Sequence, residues 1–262
     1  MRISNRLARL LRERKPALGF WINLSDPAIA EIAALSGYDW VLIDTEHNPL
    51  TEAHVQGLLY ALNGSDVTGV VRVRANREEH VKWVLDAGAG GVIIPSVENA
   101  ADARHAVEIC KYHPLGRRGY GPNHASGFWS RTTEYLANSN RDILLICQIE
   151  LASAVAEVEE ICQIEGIDGI WIGPTDLAQS LGHLGDPSHS DVRAAIDKVI
   201  ETANALGKPW GIPVGTLPDL ERYVGRGGVV MILGTDTRLL RMGTTELING
   251  ARAILEKKTA GS

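Results

Sequence analysis

The chain has 262 residues, 45% hydrophobic and 22% charged, with a net charge of −6. This acidic, ordinarily globular composition argues against a general nucleic-acid or membrane-surface role. The length suits one barrel of roughly 250 residues, and no apolar run reaches the roughly 20 residues that span a bilayer.

Arg2–Arg14 reads as an amphipathic helix with Leu7, Leu10 and Leu11 on its apolar side, suited to closing the bottom of a barrel. The segment MRISNRLARLLRERK lacks the apolar core of a signal peptide. Cys110, Cys147 and Cys162 fit no zinc spacing and read as buried thiols in a reducing compartment, so a cytoplasmic location is expected.

Strands and helices then alternate. Ala17–Leu24 is the first predicted strand and Ala28–Ser36 its helix, entered through Ser25-Asp26-Pro27 and stopped by Gly37. Trp40–Glu46, Gly69–Val73 and Gly91–Pro95 are the next strands. Their helices are Thr51–Leu62, Glu78–Ala87 and Ala100–Cys110. His113–Arg131 is the longest irregular stretch, and loops of that length are commonly functional. Two apolar runs ending in carboxylates follow, Ile143–Glu150 and Gly169–Asp176, joined by a helical stretch over Leu151–Gly166. Asp191–Leu206 is helical, Trp210–Val214 is the seventh strand, Pro218–Val224 a short helix, Val229–Leu233 the eighth strand and Thr237–Leu255 the last helix.

Eight strand–helix alternations, many with continuous apolar strands, predict an α/β fold, a (β/α)8 TIM barrel with its active site at the C-terminal strand ends. An open doubly wound sheet would carry a Gly-rich turn after its first strand, whereas this one ends Asn23-Leu24-Ser25-Asp26. Without a linker or low-complexity tract, residues 1–262 are expected to form a single domain, with terminal helices within 1–15 and 237–256.

Reading the strand ends together brings Asp44, Glu46 and His47 beside Arg72 and Arg74, and Gln148 and Glu150 beside Thr175 and Asp176. Glu150 and Asp176 emerging at one end of adjacent parallel strands suit a hard divalent cation. A guanidinium to hold an oxyanion and an imidazole to move a proton complete a plausible chemistry. Simpler roles compete: Asp44 pairing with Arg72, Asp176 capping a helix, Asp86 as an ordinary last-turn residue. His105, His113, His124, His183 and His189 lack ligand spacing and read as structural or surface groups.

The stretches GFWINLSDPAIAEIAALSGYDWVLIDTEH, VVRVRAN, LLICQIE and GIWIGPTDLAQSLG closely resemble the HpcH/HpaI family of metal-dependent class II pyruvate aldolases, which includes 4-hydroxy-2-oxoheptane-1,7-dioate and 2-dehydro-3-deoxyglucarate aldolases. The resemblance runs from about Leu18 to Ile254. It implies a phosphoenolpyruvate/pyruvate-type barrel and a divalent metal (Mg²⁺, Mn²⁺ or Co²⁺) on Glu150 and Asp176. It further implies His47 as base through a metal-bound water, Arg72 as stabiliser of the enolate and carbonyl oxygen, and Asp86 as the acid that raises the basicity of the histidine. Gln148 and Thr175 match substrate-contacting positions, Thr175 standing where many relatives carry Ala. It also implies a homo-oligomer, a hexamer built as a trimer of dimers, with the last helix exchanged between neighbours.

The expected reaction is reversible aldol cleavage of a 4-hydroxy-2-oxo acid to pyruvate and an aldehyde. No Lys falls at a predicted strand end, which disfavours a Schiff-base aldolase. The His113–Arg131 loop, with Arg117, Arg118, Asn123 and His124, is the candidate acceptor region, and Asp44 a further substrate contact. Two other readings stand: a CoA-thioester C–C lyase of the citrate lyase β or malyl-CoA type, and a non-catalytic 2-oxo-acid binding protein.

Overall fold

The computed structural model describes residues 5–259. Eight parallel strands close into a barrel in chain order: β1 (Ala17–Ile22), β2 (Trp40–Asp44), β3 (Thr68–Arg72), β4 (Gly91–Ile94), β5 (Leu144–Ile149), β6 (Gly169–Ile172), β7 (Trp210–Val214) and β8 (Val230–Thr235), which pairs back onto β1. The helices are α1 (Arg6–Arg12), α2 (Pro27–Leu35), α3 (Glu52–Ala61), α4 (Glu78–Asp86), α5 (Ala100–Cys110), α6 (Thr132–Asp142), α7 (Ala152–Ala156), α8 (Val158–Gln163), α9 (Pro174–Ser180), α10 (Ser190–Ala205), α11 (Leu217–Gly225) and α12 (Asp236–Thr259).

The strands read as unbroken apolar runs because both of their faces are covered. Residues facing outward, such as Val41, Ile43 and Val71, join the core beneath the helices. Residues facing inward form a second core with α1: Leu7 and Leu11 plug the bottom below Trp40, Leu42, Val70, Leu144, Ile146 and Trp171. Burying each plug leucine contributes roughly 1.5–3 kcal/mol. Asn5 caps α1 by accepting the Ala8 N–H, and its amide donates to the Gly90 and Asp142 carbonyls, fixing the plug to the strand starts. Trp40 and Trp171 meet edge to face at 5.9 Å inside the barrel. A Cβ at Gly19 would lie 2.3 Å from the Trp40 indole, so glycine makes that layer possible.

The period of two decides what crowns this interior. Above Trp40 and Leu42 comes Asp44, above Val70 comes Arg72, and above Leu144 and Ile146 comes Gln148. The apolar filling therefore gives way to charged and amide side chains at the C-terminal end.

Several elements differ from the sequence reading, among them the first two strands, which end at Ile22 and Asp44. Residues 2–4 of the predicted first helix lie outside the described residues. The helix predicted over Leu151–Gly166 is divided at Glu157, whose carboxylate accepts the Ala100 N–H at the start of α5. The strand predicted over Gly169–Asp176 ends at Ile172: Gly173-Pro174 starts α9, so Asp176 lies in a first helical turn, not on a strand. The long loop gives way to α6, an unpredicted helix that buries only Tyr135 and Ser139.

Candidate active site

β2 and β3 are in register with Asp44 opposite Arg72. That pairing gives a two-pronged ion pair, Arg72 Nε to Asp44 Oδ1 and Nη2 to Oδ2, both at 2.9 Å and both residues buried. Asp44 also accepts from Asn48 Nδ2 at 2.9 Å, the Glu46 N–H at 3.1 Å and the Trp21 indole at 3.4 Å. The Arg72 guanidinium stacks 4.7 Å from the Trp21 ring centre, and its third nitrogen, Nη1, faces Glu46 Oε2 at 3.1 Å. A cation so braced presents a fixed guanidinium edge to the mouth.

Glu150 follows β5 directly and is buried. Its Oε1 accepts the Ser96 N–H at 2.7 Å, and Ser96 adopts a left-handed φ of 51°, a strained backbone whose N–H is held on the carboxylate. Its Oε2 is in tight contact with Gln148 Nε2. A Cβ at Gly173 would lie 2.8 Å from that same oxygen, so the turn into α9 approaches the carboxylate as only glycine can. Gln148 Oε1 is buried with no hydrogen-bond partner among the described residues. Asp176 stands in the first turn of α9, where the helix dipole favours negative charge.

Burial pushes the Glu150 carboxyl up from its ordinary value, opposed by the hydrogen bonds from Gln148 and Ser96 and reinforced by the Asp176 charge. Glu46 is pushed up to about 7, chiefly by burial; Arg72 opposes this, and Glu150 and Asp44 add to it. Crowded, desolvated carboxylates, an orphaned amide oxygen and an all-oxygen donor set fit a hard divalent cation held by Glu150 and Asp176. His47 follows on the rim, exposed, with Nε2 3.6 Å from Glu46 Oε2. Arg72, Gln148, Thr175 and Asp176 line a cavity of about 270 Å³ together with Trp21 and Arg238.

Several predicted residues lie elsewhere. Asp86 ends α4, and that helix runs back from the mouth to where β4 begins, so Asp86 belongs to the opposite rim from His47 of the same chain. There Arg118 donates to it at 2.6 Å, and Arg118 is buried, bonded to the Tyr135 hydroxyl and 4.7 Å from the Tyr112 ring centre. His124 is buried with Nδ1 2.6 Å from the Ala87 carbonyl and lines a separate cavity of about 130 Å³ beside Asn5. An acceptor role for Arg118 and His124 within their own chain does not fit this placement. Their charges and rings are committed to holding the loop against α4. Asn123 is exposed on the same loop. Arg74, expected beside Arg72, instead donates to the Thr45 and Leu50 carbonyls.

Sequence reasoning passed over three groups. Arg238 stands at the mouth on the first turn of α12. Asp236 accepts the Asn23 and Leu24 N–H groups, each at 2.8 Å, tying β8 to the end of β1. His183, His189 and Asp191, read as lacking ligand spacing, offer ligand atoms within 4.8 Å of one another. In this structure they serve α10: His189 Nδ1 accepts the Asp191 N–H as the helix cap, and His183 Nε2 lies 3.1 Å from the Asp191 carboxylate.

Among the described residues no helix is long and apolar enough to cross a membrane. The chain is similar to 5-keto-4-deoxy-D-glucarate aldolase of Shigella dysenteriae serotype 1, 37% identical over 243 residues, covering 93% of this chain and 95% of that one. Its fold matches the crystal structure of a HpcH/HpaI aldolase/citrate lyase family protein from Burkholderia cenocepacia J2315, with a TM-score of 0.90 and 35% identity over 95% of this chain and 100% of that one. A citrate synthase, SbnG, superposes with a TM-score of 0.86 at 29% identity over 96% of this chain and 99% of its own. The family model for HpcH/HpaI aldolase/citrate lyase matches residues 17–242, a span running from β1 into α12. With that match across a closed parallel barrel, the chain belongs to the HpcH/HpaI aldolase/citrate lyase family of carbon–carbon lyases.

Proposed function

We propose that this enzyme catalyses the metal-dependent, reversible aldol cleavage of 4-hydroxy-2-oxo acids to pyruvate and an aldehyde. The observation that carries this reading is the Arg72 guanidinium, locked by Asp44, at the same mouth as the buried carboxylate of Glu150 and the half-buried one of Asp176. Glu150 and Asp176 would hold the divalent cation, Mg²⁺, Mn²⁺ or Co²⁺. When bound, it supplies Lewis acidity to the 2-oxo acid.

The chain's own groups account for the remaining work. Arg72 donates to the keto oxygen as negative charge grows there, and its bracing by Asp44 and Trp21 means no reorganisation is needed at that moment. Gln148 and Thr175 orient the 2-oxo acid from either side of the cavity. His47, exposed at the rim, takes the C4 hydroxyl proton. The C3–C4 bond then breaks, its electron pair passes into the enolate, and the aldehyde leaves. Protonation at C3 gives pyruvate.

Asp86 can support His47 only if another copy of the chain supplies it, because each chain keeps the two on opposite rims. This favours a homo-oligomer, with a hexamer built as a trimer of dimers as the expected form. The exposed Leu240, Leu247 and Ile254, spaced seven apart along α12, give such an assembly an apolar row to bury. The chain works as one barrel domain, and its three free, buried cysteines suit the reducing cytoplasm.

Exchange of the pyruvate methyl protons for deuterium, followed by NMR in D₂O, tests this without knowledge of the aldehyde. Exchange that disappears with EDTA, returns with Mn²⁺ and is lost in Arg72→Ala is the expected result. An intact, metal-loaded protein that leaves the methyl group untouched would overturn the reading.

A further inference from the structure

Two cations line the mouth cavity, Arg72 and Arg238. The Arg72 fork is already engaged by Asp44 and Glu46. Arg238 is not: among the described residues no carboxylate pairs with its guanidinium. Its backbone is nevertheless anchored, and its side chain is exposed at the rim. Its N–H donates to Thr235 Oγ1 at 3.3 Å, and the preceding Asp236 is clamped to the backbone of Asn23 and Leu24. Its Nη1 sits 3.7 Å from where a Cβ on Gly215 would be, so a bare backbone position leaves the guanidinium room along the β7 rim.

A cation in the first turn of a helix opposes the helix dipole, and α12 offers Arg238 no compensating acid on the next turn. The cost makes sense if the compensating anion arrives with a ligand. Besides the polar Gln148, Thr175 and Asp176, the same cavity is lined by the apolar Trp171, Pro213, Val214 and Ile232. That lining suits a short carbon chain whose 2-oxo end lies towards Arg72 and whose far end carries an anion for Arg238, since a planar guanidinium binds a carboxylate with two parallel hydrogen bonds.

We infer that Arg238 is the specificity-determining residue for the acceptor, receiving a carboxylate at the end of the aldehyde distant from its carbonyl. Arg238 then sets how strongly this chain prefers an acceptor that carries that carboxylate over one that lacks it. This rests on the aldolase reading for the other half of the cavity.

The test compares 2-oxoadipate with 2-oxohexanoate, which have the same carbon chain with and without the distal carboxylate. Neither carries a 4-hydroxyl group, so neither can be cleaved. Calorimetric titration of the Mg²⁺-loaded enzyme should show the dicarboxylate bound more tightly by roughly tenfold to a hundredfold. Arg238→Ala should remove that preference by weakening 2-oxoadipate alone, and Arg238→Lys should restore part of it. Pyruvate methyl exchange should be unchanged in both variants. No preference in the parent, a preference that survives Arg238→Ala, or a loss of methyl exchange in that variant would each overturn the assignment. Absence of methyl exchange in the parent would instead remove the aldolase reading, while the titration still decides whether Arg238 binds the carboxylate.

Discussion

Lys111 and Glu46 are both charged side chains drawn out of water, and the structure treats them in opposite ways. Lys111, 1% exposed at the end of α5, has three donors and three acceptors: the Asn140 and Ile143 carbonyls and the Asp168 carboxylate, at 2.6–3.1 Å. Glu46, at the mouth, keeps a buried oxygen with ion-pair neighbours but no hydrogen bond, and nearby Gln148 does the same with its amide oxygen. A closed set of partners secures the fold. An open set costs stability and is retained where a ligand completes it. The region around Lys111 is built to stay as it is, and the mouth is built to be finished by something else.

The largest effects should come from breaking the open region. Glu150→Gln and Asp176→Asn should lower kcat/KM on the order of 10³-fold or more while leaving the melting temperature of the metal-free protein level or raised. Kinetics with added Mn²⁺ and a thermal scan check the two halves. The closed region should respond in reverse. Lys111→Met strands the Asp168 carboxylate and two carbonyls and should cost about 3–5 kcal/mol in urea unfolding with kcat unchanged.

Glu46 should link the open region to pH. Its folded pKa, about 7, lies above the ordinary 4.5, so between these values the folded protein holds a proton that the unfolded chain has lost. In chelator-treated protein, stability should therefore fall as pH rises through this window, by roughly 1–3 kcal/mol, and level off above it. Urea midpoints across pH should show this slope, and Glu46→Gln should flatten it. The smallest effect sharpens the comparison at the mouth itself. Thr216 caps α11, accepting the Asp219 N–H and donating to the Asp219 carboxylate, so its partners are filled. Thr216→Ala should cost about 1 kcal/mol and leave turnover alone.

The barrel was legible because its strands are short β-branched runs between turn residues, and alternation along β2, β3 and β5 was enough to aim Asp44, Arg72 and Gln148 inward. α6 was not legible, since a polar helix with only Tyr135 and Ser139 buried leaves no apolar stripe to read. Asp176 was read on a strand because GIWI runs straight into Gly173-Pro174, and only the proline, favoured at a helix start, marks the change. Arg118 and His124 stood as acceptor candidates because a loop's charges carry no periodicity that would reveal partners such as Asp86, Tyr135 and the Ala87 carbonyl. Asp86 is the instructive case: its own surroundings in the sequence read as an ordinary last turn, the family resemblance implies a role beside His47, and the rim it occupies follows from the direction of α4. Arg238 had a signal of another kind, a cation where the helix dipole disfavours one.

The seam between β1 and β8 joins residues more than two hundred positions apart, with Ala17 opposite Val230 and Asn23 bound to Asp236. During synthesis the first strand leaves the ribosome long before its neighbour exists. Until Asp236 emerges, β1 has β2 on one side and an unsatisfied edge on the other, and such an edge is a template for pairing with foreign chains. The nascent protein thus carries this open edge until late in translation. A slowed or truncated message ending before β8 should yield chains that chaperones retain, rather than a smaller working barrel.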